Sequence, residues 1–234
     1  MIQIVDGGDR GATRMTWLDS RHSFSFGDFF DPTRMGFGPL RVINEDRVAP
    51  GGGFPTHGHR DMEILTWVLD GALAHRDSLG SGAVIRPGEL QAMRAGTGIR
   101  HSEFNASAEE PVHFLQIWIV PERQGLSPGY VQKAFEPAEL DGRLQLLVSQ
   151  DGRDGSLSIA QDTDLWAGRT GDNGGVLWHR PGAGRRAWLQ VARGAVRLGE
   201  TPLQAGDAAI IEAEEEIRID ARAAAEVLLF DLPQ

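Results

Sequence analysis

The stretch Trp67-Val68-Leu69-Asp70-Gly71-Ala72-Leu73 has a counterpart far along the chain, Leu189-Gln190-Val191-Ala192-Arg193-Gly194-Ala195-Val196. In both, a β-type run ends in a glycine turn, and a later Gly-acidic turn (Gly88-Glu89, Gly206-Asp207) precedes another strand pair. The interval from that turn to the next β-type run is the same, eleven residues from Gly88 to Ile99 and from Gly206 to Ile217. Further β-type runs lie at residues 40–43, 64–69, 114–120, 144–148, 188–191 and 227–230, each bounded by Gly, Pro, Asp or Asn. Several are apolar on both faces, as strands of a sandwich or barrel are. The repeat predicts an all-β chain of two antiparallel β-barrel (jelly-roll) domains, 1–134 and 135–234. The stretch 135–142 supplies one short turn of helix and the boundary.

Composition agrees. The 234 residues suffice for one large β domain or two small ones. Thirty glycines and twelve prolines are spread through the chain, which suits short strands joined by tight turns. Hydrophobic residues make up 41%, enough for a core and an argument against disorder. The net charge of −10 makes nucleic acid and anionic membrane surfaces poor partners. There is no cysteine, so disulfides, zinc–thiolate sites and cysteine nucleophiles are all excluded. No apolar run reaches the roughly 18 residues of a membrane span, and the N-terminus meets Asp6, Asp9 and Arg10 before any signal-peptide core forms. A cytoplasmic protein is the expectation.

The chemistry concentrates in His57-Gly58-His59 and His101-Ser102-Glu103. On a strand, residues i and i+2 project from one face, so each pair aims two donors at one point. A lone His-x-His pair is weak evidence; a second pair at the same spacing, 44 residues on, strengthens it. Two such pairs on facing strands can enclose one ion. Three imidazoles and a carboxylate suit a first-row divalent metal and leave positions for substrate or dioxygen. His22, His75, His113 and His179 sit in no ligand-spaced pair and read as surface or hydrogen-bonded residues. His22 has aromatic neighbours Phe24, Phe26, Phe29 and Phe30, which read mainly as core with a minor option of lining a cavity mouth. The acidic run 212–216 reads as a solvated turn.

The surroundings resemble a known family. Gly51-x5-His57-x-His59-x3-Glu63 resembles the first cupin motif, and Ala95-Gly96-Thr97-Gly98-Ile99-Arg100-His101-x3-Asn105 the second. More closely, the chain is similar to the bacterial pirin-like bicupins, the family of pirin and its quercetinase relatives. Matching stretches include Trp17-Leu18-Asp19-Ser20, His22-x-Phe24-Ser25-Phe26, Leu40-Arg41-Val42-Ile43-Asn44, Asp61-Met62-Glu63-Ile64-Leu65-Thr66 and Val227-Leu228-Leu229-Phe230-Asp231-Leu232-Pro233. The resemblance implies a bicupin whose ligands are His57, His59, His101 and Glu103. Glu63, a ligand position in many cupins, would then be a neighbour that orients a ligand or an ordinary polar residue. The repeat puts Arg180 and Gly182 at the places of His57 and His59, and Ile219 and Ala221 at those of His101 and Glu103. One metal per chain follows.

The resemblance further implies quercetin 2,3-dioxygenase activity, in which a flavonol is opened by dioxygen with release of carbon monoxide. Glu103 is the candidate base for the flavonol 3-hydroxyl. Iron(II) is the expected metal; nickel, copper, manganese, cobalt or zinc fits the same donors. An alternative of another class is a metal- or redox-responsive binding protein that docks on a protein partner, as pirin is associated with transcriptional regulators. A third reading, a sugar isomerase, would need cationic residues near the metal, and only Arg60 and Arg100 offer themselves.

Overall fold

A computed structural model describes residues 1–234. All six β-type runs are strands, extended in most cases at their ends: Leu40–Val48, Glu63–Asp70, Val112–Ile119, Leu144–Ser149, Arg186–Arg193 and Ala225–Leu232. The α-helix is the single turn Pro137–Leu140. No helix is long and apolar enough to cross a membrane.

The chain forms two compact units. One is Arg10–Phe135 with Ile159–Gln161; the other is Met1–Asp9, Glu136–Ser158 and Asp162–Gln234. The division differs from a single cut at 134/135 because Ile2–Val5 pairs antiparallel with Ala208–Glu212 in the second unit. Neither unit is a closed barrel. Each is a jelly-roll-like sandwich of a seven-stranded and a four-stranded sheet. In the first, the large sheet runs Gly129–Ala134, Glu89–Arg94, Glu63–Asp70, Val112–Ile119, Leu40–Val48, Leu18–His22, Gly11–Arg14. Its small sheet runs Gly53–His59, Ile99–Asn105, Leu73–Asp77, Gly82–Ile85. Val48, Val68 and Phe114 from the large sheet pack with Leu73 and Ile85 from the small one. These side chains are fully buried, each contributing about 1.5–3 kcal/mol of hydrophobic stabilisation.

The repeat is visible in the backbone. Gly71 and Gly194 both sit at positive φ, +74° and +71°. A Cβ would come within 2.6 Å of the Pro111 carbonyl oxygen at the first and 2.3 Å of the Ala224 oxygen at the second. Only glycine makes these turns without strain.

The inner faces of the two units differ. Across the large sheet of the first unit, His22 lies opposite Asn44, Asn44 opposite Gln116, Gln116 opposite Thr66, and Thr66 opposite Gln91. This is a row of polar side chains on a face that is otherwise apolar. In the second unit the places of Gln91, Thr66 and Gln116 are taken by Ala209, Leu189 and Leu229, all fully buried. The small sheets differ likewise. His57 faces His101 in the first unit, whereas Leu177 faces Ile219 in the second. Cross-strand register therefore assigns Leu177 and His179, not Arg180 and Gly182, to the positions of His57 and His59. The reason is loop length: the segment from His179 to the next strand at Arg186 is longer than that from His59 to Glu63. His179 is buried in the second unit. It hydrogen-bonds Asp231 at 2.8 Å, beneath Trp166.

Candidate metal centre

Strand Gly53–His59 pairs with Ile99–Asn105 so that His57 meets His101 and His59 meets Ile99. A register shift between His101 and Glu103 sets Glu103 opposite Phe54. On its other side the same strand pairs with Leu73–Asp77, which sets His101 opposite Asp77 and Glu103 opposite His75. Period-2 alternation turns His101, Glu103 and His75 inward, where all three are buried.

Three imidazoles converge. Ring centres of His57, His59 and His101 lie 4.5–4.8 Å apart, and their donor nitrogens fall within 4.8 Å of one another. The Nε2 atoms of His59 and His101 are 2.9 Å apart, so at most one of them carries a proton. His57 donates Nδ1–H to the Pro55 carbonyl at 2.8 Å, which leaves its Nε2 lone pair free. Burial, together with repulsion from His57, lowers the pKa of His59 to about 4. Burial and then the neighbouring His57, His59 and His75 lower that of His101 to about 3, against the pull of Asp77. Both rings are neutral at pH 7, the form that binds a metal.

Glu103 is joined to this group through His101, in a second cluster with His75. Its Oε2 accepts a hydrogen bond from Gln116 Nε2 at 2.9 Å. Gln116 Oε1 accepts one from the Thr66 hydroxyl at 3.0 Å, which in turn accepts one from Gln91 at 3.3 Å. The polar row of the large sheet thus ends on the carboxylate. The other oxygen, Oε1, is buried without a partner. Burial raises the pKa of Glu103 to about 7; the Gln116 hydrogen bond and the nearby Thr66 hydroxyl oppose this, and Asp46 adds to it. An unpartnered carboxylate oxygen in the interior is costly unless a cation satisfies it. With three imidazoles converging beside it, the residues present fit a divalent metal ion.

A cavity of about 260 Å³ opens onto His57, His59 and Glu103. Its apolar walls include Leu18, Phe26, Phe54 and Trp118, the last standing edge-on to His59 at 4.9 Å. Asp46 also lines it. Burial raises its pKa to about 7, a Ser20 hydrogen bond offsets part of this, and one of its oxygens has no partner.

The other singled-out residues take a range of places. His22 is buried and lines the cavity, held by Asn44 at 2.8 Å and Thr13 at 2.9 Å. His75, read as an ordinary histidine, stands against His101 with ring centres 5.3 Å apart. Of the four phenylalanines, Phe24 is core, Phe26 lines the cavity and Phe30 is 72% exposed. Glu63 touches none of the clustered imidazoles. It pairs with Arg94 at 2.7 Å and accepts the Ala160 N–H at 3.0 Å. Arg60 lies outside the cavity and donates to the Thr97 carbonyl.

The whole chain has relatives of similar architecture. The Pirin family profile matches residues 8–119, and that of the quercetinase C-terminal cupin domain matches residues 146–232. A quercetin 2,3-dioxygenase of Escherichia coli K12 is 47% identical over 235 residues, covering 100% of this chain and 99% of that protein. A crystal structure of bacterial pirin YhhW from Escherichia coli in complex with nickel(II) superposes with a TM-score of 0.92 at 46% identity, covering 100% and 99% of the two chains. A quercetin 2,3-dioxygenase from Acinetobacter baumannii shares the fold at 21% identity, with a TM-score of 0.77 over 99% of this chain and 79% of that one. Full-length identity at this level, with both cupin units matched in order, makes the chain a member of the pirin family.

Proposed function

We propose that the first unit holds one divalent metal ion through His57, His59, His101 and Glu103, and that the protein is a dioxygenase acting on a flavonol such as quercetin. The observation that carries this reading is an open, buried carboxylate oxygen beside three converging imidazoles at the head of an apolar cavity. Full-length relatives named for quercetin dioxygenation support the substrate class. Iron(II) is our choice of metal, and nickel, copper, manganese, cobalt and zinc suit the same donors. The absence of cysteine suits a reducing cytoplasm.

When bound, the ion would supply Lewis acidity toward substrate oxygen and a centre for dioxygen chemistry. The protein does the rest. Phe26, Phe54 and Trp118 offer flat apolar faces to a planar ring system and keep water out. Glu103, which lines the cavity, takes the proton of the flavonol 3-hydroxyl at its carboxylate. Gln116 holds Oε2 meanwhile, so the carboxylate turns about a fixed point rather than drifting. The reaction consumes one dioxygen, opens the heterocycle and releases carbon monoxide.

The test is aerobic turnover of quercetin by metal-free protein reloaded with iron(II), reading flavonol absorbance and carbon monoxide together. Loss of the flavonol band with carbon monoxide release, absent in His101→Ala, is the expected result. Metal uptake without consumption of flavonol, with each of the named metals, would refute the dioxygenase reading and leave the metal centre standing.

A further inference from the structure

Around His101, three buried polar atoms have no hydrogen-bond partner: His101 Nδ1, His75 Nδ1 and Glu103 Oε1. A ring nitrogen of His75, one of His101 and an oxygen of Glu103 lie within 4.8 Å of one another. Unpartnered buried polar atoms are rare, and three in one place call for a common explanation.

Their hydrogen-bonding capacity is fixed by what lies behind them. Asp77 Oδ1 accepts the backbone N–H groups of Leu79 at 2.9 Å and Ser81 at 3.0 Å, which holds the group as an acceptor. Its Oδ2 sits 3.0 Å from His75 Nε2, so that nitrogen carries the proton and donates. His75 Nδ1 is then a lone pair. The ring is held by stacking on Tyr130, 4.6 Å between centres at 25°. His101, if its Nε2 lone pair serves a metal, must carry its proton on Nδ1. One donor and one acceptor thus stand ring to ring, 5.3 Å between centres. A direct N–H···N bond between two imidazoles, at about 3 Å, spans a centre separation of about 5 Å.

We propose that Asp77 and His75 are positioning residues for the metal centre: Asp77 sets the tautomer of His75, and His75 Nδ1 accepts the Nδ1–H of His101, fixing that ring with Nε2 toward the ion. The inference rests on the ligand set His57, His59, His101 and Glu103. With Glu103 Oε1 also given to the metal, all three unpartnered atoms are satisfied at once. Such supports of a ligating histidine typically contribute 10- to 100-fold in metal affinity.

Asp77→Asn is the informative change. The amide keeps the shape and leaves its oxygen for the Leu79 and Ser81 N–H groups, but it presents NH₂ to His75 Nε2. His75 must then carry its proton on Nδ1, donor against donor with His101. Nickel(II) affinity, measured by chelator competition without any substrate, is expected to fall 10- to 100-fold in Asp77→Asn and in His75→Phe, which keeps a ring against Tyr130. Nitrogen-15 NMR of the imidazoles in zinc(II)-loaded wild type is expected to show His101 protonated at Nδ1 and His75 protonated at Nε2. That measurement decides the matter even if a variant fails to fold. Wild type that binds no metal would sink the ligand set itself. Wild type that binds nickel(II), with both variants within twofold of it, or with His75 protonated at Nδ1, would overturn the role of His75 and Asp77 alone.

Discussion

Gln116→Leu tests how the large sheet governs the metal centre. Leucine keeps the bulk of the side chain and removes the donor that reaches Glu103 Oε2 at 2.9 Å. A hydrogen bond to a buried charged group contributes about 1.5–3 kcal/mol, or roughly 1–2 pKa units at 1.36 kcal/mol each. Because the Thr66 hydroxyl also favours the ionised form, a rise of no more than two units is expected. Glu103 would then titrate at roughly 8 to 9 instead of about 7. A metal competes with that proton. In wild type, affinity should climb about tenfold per pH unit up to about pH 7 and then level off, while His59 (about 4) and His101 (about 3) are already neutral and add no slope. In Gln116→Leu the levelling moves up with the pKa. Nickel(II) binding should be roughly 5- to 50-fold weaker at pH 7, roughly 10- to 100-fold weaker at pH 5.5, and near wild type above about pH 9. Chelator competition across that range reads all three. A deficit of the same size at every pH would instead mean that Gln116 shapes the site and does not set the proton affinity of Glu103.

Three other perturbations have defined outcomes. Glu45 is held by Arg10 at 2.7 Å and by His113 and Arg47 at 2.9 Å, and although burial alone would raise its pKa, these partners lower it to about 2. Its stabilisation is therefore complete above about pH 4.5 and lost as pH falls toward 2; Glu45→Gln should cost about 3 kcal/mol at pH 7 in urea unfolding, and a gap from wild type that stays constant down to pH 2 would contradict the assignment. Phe26→Ala removes an apolar wall of the cavity. It should raise the KM for quercetin roughly 5- to 30-fold, from about 1–2 kcal/mol of lost contact, and leave nickel(II) affinity unchanged; a parallel loss of metal would show that the cavity wall supports the ligands instead. Gly71→Ala, with φ at +74° and the Pro111 oxygen 2.6 Å from the new Cβ, should destabilise by about 2 kcal/mol or more, seen as a lower Tm. An unchanged Tm would mean that the turn relaxes freely.

Much of this organisation is legible in the sequence because strand periodicity is local. His57 with His59, and His101 with Glu103, share faces by the i, i+2 rule, which needs no knowledge of the partner strand. What escapes such a reading depends on register between distant segments. His75 matters only because it falls opposite Glu103, and Asp77 only because it falls opposite His101. Gln116 reaches Glu103 from the other sheet. A local trace of it exists: Thr66 and Gln116 are single polar residues inside the apolar runs 64–69 and 114–120, and a polar group at a buried position needs a partner. Asp46 carries no such mark, since Asn44-Glu45-Asp46-Arg47 reads as an exposed segment although Asn44, Glu45 and Asp46 are buried. Counting from one glycine turn to its repeat misplaces Leu177 and His179, because turns drift in length while β-ladders do not.

Nickel K-edge X-ray absorption on protein carrying one equivalent of nickel(II) reads the ligand set of the metal centre itself. Three imidazole nitrogens and one carboxylate oxygen from the protein are expected in wild type, and two imidazoles in His101→Ala. Fewer than three imidazoles in wild type, or a spectrum that His101→Ala leaves unchanged, would contradict the metal centre described here.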